Sequence, residues 1–277
     1  MDAKLESLIH QLEEKYKLEG QDINAYLEGL LYSDYTPYWD YIHLDTLLTL
    51  QKPKTKVPDE MIFIMYHQVT ELYFKMIIHE LEQITDGKAD VKFMTERLGR
   101  INRYFTILTD SFNVMTEGME RDQFLKFRMS LLPASGFQSA QYRKIEICST
   151  DLYNLIDKDL RANFNVNSTC EEMIGCTYWR AGATELESGN KTLTLRQFEQ
   201  KYDSELLKLS IEFKNKNVWQ QYLSLSNEDK TNVELLRQMK NLDTNVNVNW
   251  PLAHYRTAVK YLARTDSNDV AATGGTN

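Results

Sequence analysis

Proline and glycine are scarce in this chain, 5 and 11 among 277 residues, which argues against a fold built from many short strands and tight turns. Cysteine is scarcer still. Cys148, Cys170 and Cys176 are odd in number and lack metal-ligand spacing, so free thiols in a reducing compartment fit better than a disulfide framework or a zinc site. Basic clusters are missing too. The net charge is −8, and the one short basic stretch, Lys52-Pro53-Lys54-Thr55-Lys56, suits a solvated loop, so a nucleic-acid partner is not expected. No apolar run reaches membrane-spanning length, and the opening Met1-Asp2-Ala3-Lys4-Leu5-Glu6 has no signal-peptide core. The expectation is a cytoplasmic protein without membrane partners.

Motif searches are equally bare. There is no H-E-x-x-H, no E-x-x-H pair for a di-iron bundle, no G-x-S-x-G elbow, no P-loop and no dinucleotide G-x-G-x-x-G. A C-x-x-C-H is absent as well, so any heme would be held without thioether links.

What is present is helical periodicity. Composition is ordinary for a globular chain, 42% hydrophobic and 26% charged, and apolar residues recur at three- and four-residue intervals. Leu5, Leu8, Ile9, Leu12 and Tyr16 share one face of a helix over 4–18 that stops near Gly20. Further helices are expected over 23–31, 41–50, 58–84, 90–115, 121–131, 137–156, 195–213, 232–241 and 251–263, with Asp90 and Asn249 as N-caps. The segment 61–84 is apolar almost all round and predicts a buried helix. Residues 158–193 are polar and irregular. The fold class is all-α: a single helical domain over 1–277, with 1–37 as an N-terminal helical extension for subunit contacts.

Five histidines are available: His10, His43, His67, His79 and His254. His67 and His79 lie twelve residues apart on one helix, so at about 100° per residue they point roughly 120° apart. His67 sits among Phe63, Ile64, Met65 and Tyr66, where an imidazole is costly unless something bonds it. A histidine that ligates heme iron has no spacing signature, so His254 cannot be singled out by pattern. The strongest local oddity is Phe124, Phe127 and Arg128, at i, i+3 and i+4 on one helix face. Arg grips a carboxylate with two parallel bonds, and the aromatics beside it would suit a flat apolar substrate; Phe residues in the core and a surface ion pair for Arg128 is the other reading.

Asp59-Glu60-Met61-Ile62-Phe63-Ile64-Met65-Tyr66-His67-Gln68, followed by Glu71-Leu72-Tyr73-Phe74-Lys75 and His79-Glu80-Leu81, is similar to the distal-side helix of the tryptophan 2,3-dioxygenase family. Phe127-Arg128, then Pro133-Ala134-Ser135-Gly136-Phe137-Gln138-Ser139 and Gln141-Tyr142-Arg143, resembles its second signature. Trp250-x-x-x-His254 and Thr273-Gly274-Gly275 look like its proximal-histidine helix and glycine loop, and Tyr38, Tyr41, Ile42 and Leu44 match its N-terminal substrate-side segment. The sequence departs from the pattern at Tyr73, where Trp is common, at Phe124, where many bacterial members carry a hydroxyl, and at Pro251, where an Arg often follows the tryptophan.

The resemblance implies heme b ligated by His254, with Ser135, Gly136, Trp250 and Gly274 also against the cofactor. It implies L-tryptophan and O2 as substrates, with both oxygen atoms entering at the indole C2–C3 bond to give N-formylkynurenine. His67 would accept a hydrogen bond from the indole N–H, Arg128 would hold the carboxylate and Thr273 the ammonium group. Phe63, Ile64, Met65, Tyr66, Phe124 and Phe127 would wall the substrate; Tyr38, Tyr41 and Ile42 would complete the pocket from a neighbouring subunit of a homotetramer. A histidine-ligated heme monooxygenase, acting on a tryptophan derivative or tyrosine, and a non-catalytic helical binding protein are the competing expectations.

Overall fold

The computed structural model describes residues 2–87, 90–128, 138–165, 167–181, 183 and 190–262. The regular elements among them are helices, with a single isolated bridge between Ile156 and Thr177. The fold is all-α. The chain divides into two compact units, 1–52 and 53–277.

The first unit holds α1 (Ala3–Leu18), α2 (Ile23–Leu31), α3 (Tyr38–Tyr41) and α4 (Leu44–Leu47). The side chains of Asp2 and Asp22 cap the first two helices by accepting from the amides of Lys4 and Asn24. Gly20 ends the first turn region at φ +67°, where a Cβ would be strained. The helix expected over 41–50 is instead two short pieces, because His43 adopts φ 50° and breaks the ladder. The predicted apolar face of α1 is not buried: Leu5, Leu8 and Leu12 are exposed, as are Leu30, Leu31, Tyr32, Tyr38, Trp39 and Tyr41.

The second unit is built on α5 (Pro58–Thr85) and α6 (Val91–Thr116), which pack against each other. Pro58 opens α5 and Asp59 and Glu60 follow in its first turn, the order that a helix start favours. Both acids have fixed tasks. Asp59 accepts from the Glu120 amide at 2.6 Å, and Glu60 accepts from the amides of Lys54 and Thr55, each at 2.7 Å. Burial opposes ionisation of Glu60, but the bonds from Thr55 and Lys54 outweigh it and hold the carboxyl below its usual range. The start of α5 is thereby pinned. Asp90 caps α6 as expected, accepting from the Phe93 amide at 2.7 Å. Gly118 follows, where a Cβ would come within 2.5 Å of the Val114 carbonyl oxygen.

Next come α7 (Arg121–Arg128), α8 (Ala140–Ser149), α9 (Cys170–Ile174), α10 (Tyr178–Ala181), α11 (Leu193–Phe213), α12 (Val218–Ser224), α13 (Val233–Thr244) and α14 (Trp250–Leu262). The helix expected over 137–156 ends at Ser149, where Thr150 turns extended, and 152–155 is a 3₁₀ turn. Between α13 and α14, Asn245–Asn249 form a π-turn, so Asn249 is not the N-cap expected of it.

Phe74, Ile77 and Leu81 of α5, Leu98, Ile101 and Phe105 of α6, Ile145 of α8, Leu206 of α11 and Leu235 of α13 are at most 2% exposed and form one core. Each such side chain contributes about 1.5–3 kcal/mol by leaving water. The buried-helix expectation for 61–84 holds on this face only. Met65, Val69, Leu72 and Met76 line the opposite side of α5 and are exposed. Glu80 sits nearly buried between Arg97 and Arg100, each at 3.3 Å, and ties α5 to α6.

Candidate active site

A second, smaller cluster lies beyond the core, where α5, α6, α7 and α14 meet. Its buried members are Tyr66, Phe112, Met115, Met119, Phe127 and Tyr261, with Phe63, Phe124 and Trp250 packed against it. Helical spacing explains the grouping. Phe63 and His67 stand one turn apart on α5, Phe124 and Phe127 share a face of α7, and Trp250, His254 and Tyr261 recur along α14.

The rings make a continuous wall. Phe63 lies 4.0 Å from the His67 ring, 6.3 Å from Phe124 and 5.5 Å from Phe127, and Phe124 meets Tyr261 at 4.7 Å. On the other side of His67, Tyr66 stands edge-on at 5.7 Å and continues to Phe112 at 5.9 Å. Phe112 then reaches Trp250 at 4.7 Å and His254 at 6.2 Å. Two histidines from distant parts of the chain are therefore joined through one layer of aromatic rings.

The two imidazoles are in different electrostatic states from a free histidine. His67 is open to solvent on part of its surface, yet the packed rings desolvate it, which lowers its pKa; the bond to the Phe63 carbonyl opposes that shift. Nδ1 of His67 lies 2.8 Å from that carbonyl oxygen. A carbonyl only accepts, so Nδ1 carries the proton, and Nε2 of the neutral ring is left as an acceptor. His254 is half-buried and its pKa is lowered, first by desolvation and then by repulsion from His67. Protonating one ring thus disfavours protonating the other, and both are neutral at physiological pH.

A neutral, half-buried imidazole beside Phe112 and Trp250 suits a metal carried in a flat, largely apolar macrocycle. Among the described residues no three His, Cys, Asp or Glu side chains converge. A metal held at His254 would draw one nitrogen from the protein and its other donors from such a macrocycle. The donor chemistry and the aromatic lining both fit a heme.

The other expected residues divide by position. Phe127 is fully buried, Phe124 half-buried, and both edge the wall at 5.5 Å from each other. Arg128 is half-buried at the end of α7, and among the described residues no acid pairs with it. Tyr66 is buried, with its hydroxyl 3.2 Å from Ser111 Oγ. Ile64 is half-buried, whereas Met65 stands on the exposed stripe of α5, two residues and so about 160° round the helix from His67. Tyr38, Tyr41 and Ile42 belong to the first unit and are exposed there. Ser135, Gly136, Thr273 and Gly274 lie outside the described residues.

Two aromatic residues of the cluster were not singled out by sequence. Phe112 reads as one more core position in the 101, 105, 108, 112 series of α6. Tyr261, two turns beyond His254, donates its hydroxyl to the carbonyls of Met115 and Met119 and so fastens α14 to the end of α6. Its spacing from His254 was the available signal.

A family model described as Tryptophan 2,3-dioxygenase matches residues 29–268. Relatives named tryptophan 2,3-dioxygenase include one from Ruegeria sp. strain TM1040, 39% identical over 117 residues, which are 42% of this chain and 42% of the relative. One from Bradyrhizobium diazoefficiens is 40% identical over 111 residues, 39% of each chain. One from Dictyostelium discoideum is 40% identical over 121 residues, 39% of this chain and 30% of the relative. The matched part of this chain therefore spans less than half the length of each of these relatives.

Proposed function

This chain belongs to the tryptophan 2,3-dioxygenase family, and on that premise we propose that it is a heme-dependent dioxygenase that opens the indole C2–C3 bond of L-tryptophan to give N-formylkynurenine. The observation that carries the reading is the pair of neutral imidazoles at the aromatic cluster, one of them with its Nε2 held as an acceptor.

His254 is the residue that would hold heme b, with Phe112 in contact with both its ring and Trp250. Bound there, ferrous heme supplies the oxygen chemistry. The chain's own residues supply orientation and exclude water. Nε2 of His67 would accept the indole N–H, and its depressed pKa keeps that lone pair free at neutral pH. Phe63 and Phe124, backed by the buried Phe127, would offer flat apolar surface to the indole, a face on which rings pack well in offset or edge-on contact. Arg128 would take the carboxylate, since a half-buried guanidinium one residue after Phe127 gains two parallel charge-assisted hydrogen bonds when an amino acid arrives. Holding the indole at N1 and the carboxylate at the opposite end leaves one orientation, and that positioning is the protein's main catalytic contribution. His67 acts by orienting; the indole N–H is too weak an acid for it to serve as an obligatory base. Thr273 would hold the ammonium group, and Ser135, Gly136 and Gly274 would line the cofactor.

We also place this protein in a homotetramer, with the first unit serving subunit contacts and Tyr38, Tyr41 and Ile42 completing a neighbour's pocket. The exposed apolar residues of that unit, and the Met65, Val69, Leu72 and Met76 stripe, support a chain that covers these surfaces by assembly. A cytoplasmic location accords with three free cysteines, two of them buried; no described helix is long and apolar enough to cross a membrane.

The test is to load the full chain with heme, reduce it, and supply L-tryptophan in air. A product two oxygen atoms heavier than the substrate, with the N-formylkynurenine absorption band, is expected. A chain with no Soret band after heme supplementation, or a product one oxygen heavier, would overturn the reading.

A further inference from the structure

Among the described residues the one π-turn, Asn245–Asn249, stands directly before Trp250 and His254. The amide of Trp250 bonds to the Asn245 carbonyl, five residues back rather than four. That choice leaves the Val246 carbonyl without its α-helical donor. Its alternative partner in the wider turn is residue 251, which is proline and has no N–H. A buried carbonyl in that position must find another donor. It finds Tyr142 of α8, whose buried hydroxyl donates to Val246 O at 2.5 Å.

Side-chain amides hold the rest of the turn. Asn102 of α6 donates to the carbonyl and the Oε1 of Gln238, at 2.9 and 2.8 Å. Asn245 donates to Asn102 Oδ1 at 3.1 Å, and Asn249 donates to Asn245 Oδ1 at 2.8 Å.

The turn changes which way α14 faces. Leu242 and His254 are twelve residues apart. At about 100° per residue an unbroken α-helix would set them about 120° apart around the axis; one residue absorbed by the π-turn leaves about 20°. Leu242 is buried in the main core, and after the turn Trp250, His254, Thr257 and Tyr261 continue nearly the same line, with Trp250 and Tyr261 in the aromatic cluster. Without the π-turn that line would drift to the solvent side within one helix.

We propose that Tyr142 is a positioning residue for His254, acting through the π-turn: its hydroxyl satisfies the carbonyl that Pro251 orphans and so sets the rotation of α14 at which His254 meets the cofactor. This rests on reading His254 as the iron ligand. Burial and the neighbouring Glu146 raise the phenol's pKa, so the donated proton stays in place across the physiological range. Tyr142 also packs on Phe74 at 5.4 Å and Trp250 at 6.5 Å, contacts that Phe would keep.

Two variants of the full chain, each loaded with heme, decide the matter. Tyr142→Phe removes the donor and keeps the ring. Tyr222→Phe removes a hydroxyl bond of the same kind, to the Lys230 carbonyl at 3.2 Å, away from the cluster. The readouts are the rate at which heme passes to apomyoglobin and the Fe(II)–histidine stretching band in resonance Raman. Tyr142→Phe is expected to lose heme at least tenfold faster and to shift or broaden that band, while Tyr222→Phe matches the parent in both. Parent values in Tyr142→Phe would overturn the proposal. If His254→Ala kept the parent band, the axial assignment itself would fall, which is a separate result from a silent Tyr142→Phe.

Discussion

Replacing Glu146 by Gln should destabilise this protein far more than a surface carboxylate would. Arg143 and Glu146 are both buried on α8, 5% and 3% exposed, with 2.9 Å between Nη1 and Oε2. Tyr178 donates its hydroxyl to Glu146 and accepts from Arg143 Nη1 at 2.9 Å. The guanidinium is otherwise enclosed by Tyr142, Tyr178 and Trp179, at 4.9, 5.6 and 5.1 Å. Those ring contacts exist with or without Glu146, so they do not offset its loss. Breaking a buried pair by removing one charge costs about 3–5 kcal/mol. Gln retains a neutral acceptor for Tyr178, which puts the expectation at the lower end, about 3 kcal/mol. For a unit of this size that lowers Tm by roughly 6–12 °C. Urea titration of the parent, Glu146→Gln, Arg143→Met and the double variant gives the pair's coupling. The double variant should recover most of the loss, since neither charge then remains buried alone. A Glu146→Gln chain within about 0.5 kcal/mol of the parent, the range of ordinary surface changes, would refute the reasoning.

At the site, Arg128→Ala should lower kcat/KM for tryptophan by about 100-fold, roughly 3 kcal/mol, mostly through KM; an equal loss with an indole that lacks the carboxylate would contradict the role. His67→Ala should retain heme while turnover falls, and a colourless variant would point instead to a ligating task for His67. Stability of the heme-free chain should fall with acidity. His67 and His254 titrate lower in the folded chain than in the unfolded one, so below about pH 6.5 the unfolded state binds more protons and Tm drops. Calorimetry that found Tm level or rising from pH 7 to 5.5 would reverse that sign. Phe127→Ala, at a fully buried position, should cost about 3–5 kcal/mol by chemical denaturation.

Much of the framework was legible because its signals are local. Asp90 lies next to the amide it caps, Pro58 can only open a helix, and the apolar series of α6 repeats without interruption. Features that depend on distant partners were not. The break between α3 and α4 depends on a left-handed His43, a conformation uncommon for any residue with a Cβ, His included. Asn249 has the composition of a cap, but its amide is engaged by Asn245 inside a π-turn that α6 and α8 hold from outside the segment. The candidate site divides in the same way. Phe63, His67, Phe124 and Phe127 could be named from motif and spacing, whereas Phe112 joins the two histidines only through tertiary packing. No periodicity distinguishes it from its neighbours in the core.

The partner that holds the His67 proton is part of the main chain. Whatever side chain occupied position 63, its carbonyl would still stand one turn below the ring. Substitutions around the pocket can therefore alter its size and polarity while the lone pair keeps its address, and reversing it would take a bend in the helix itself. Selection acting on such a pocket could retune which flat molecule it admits without rebuilding the means of turning that molecule the right way round.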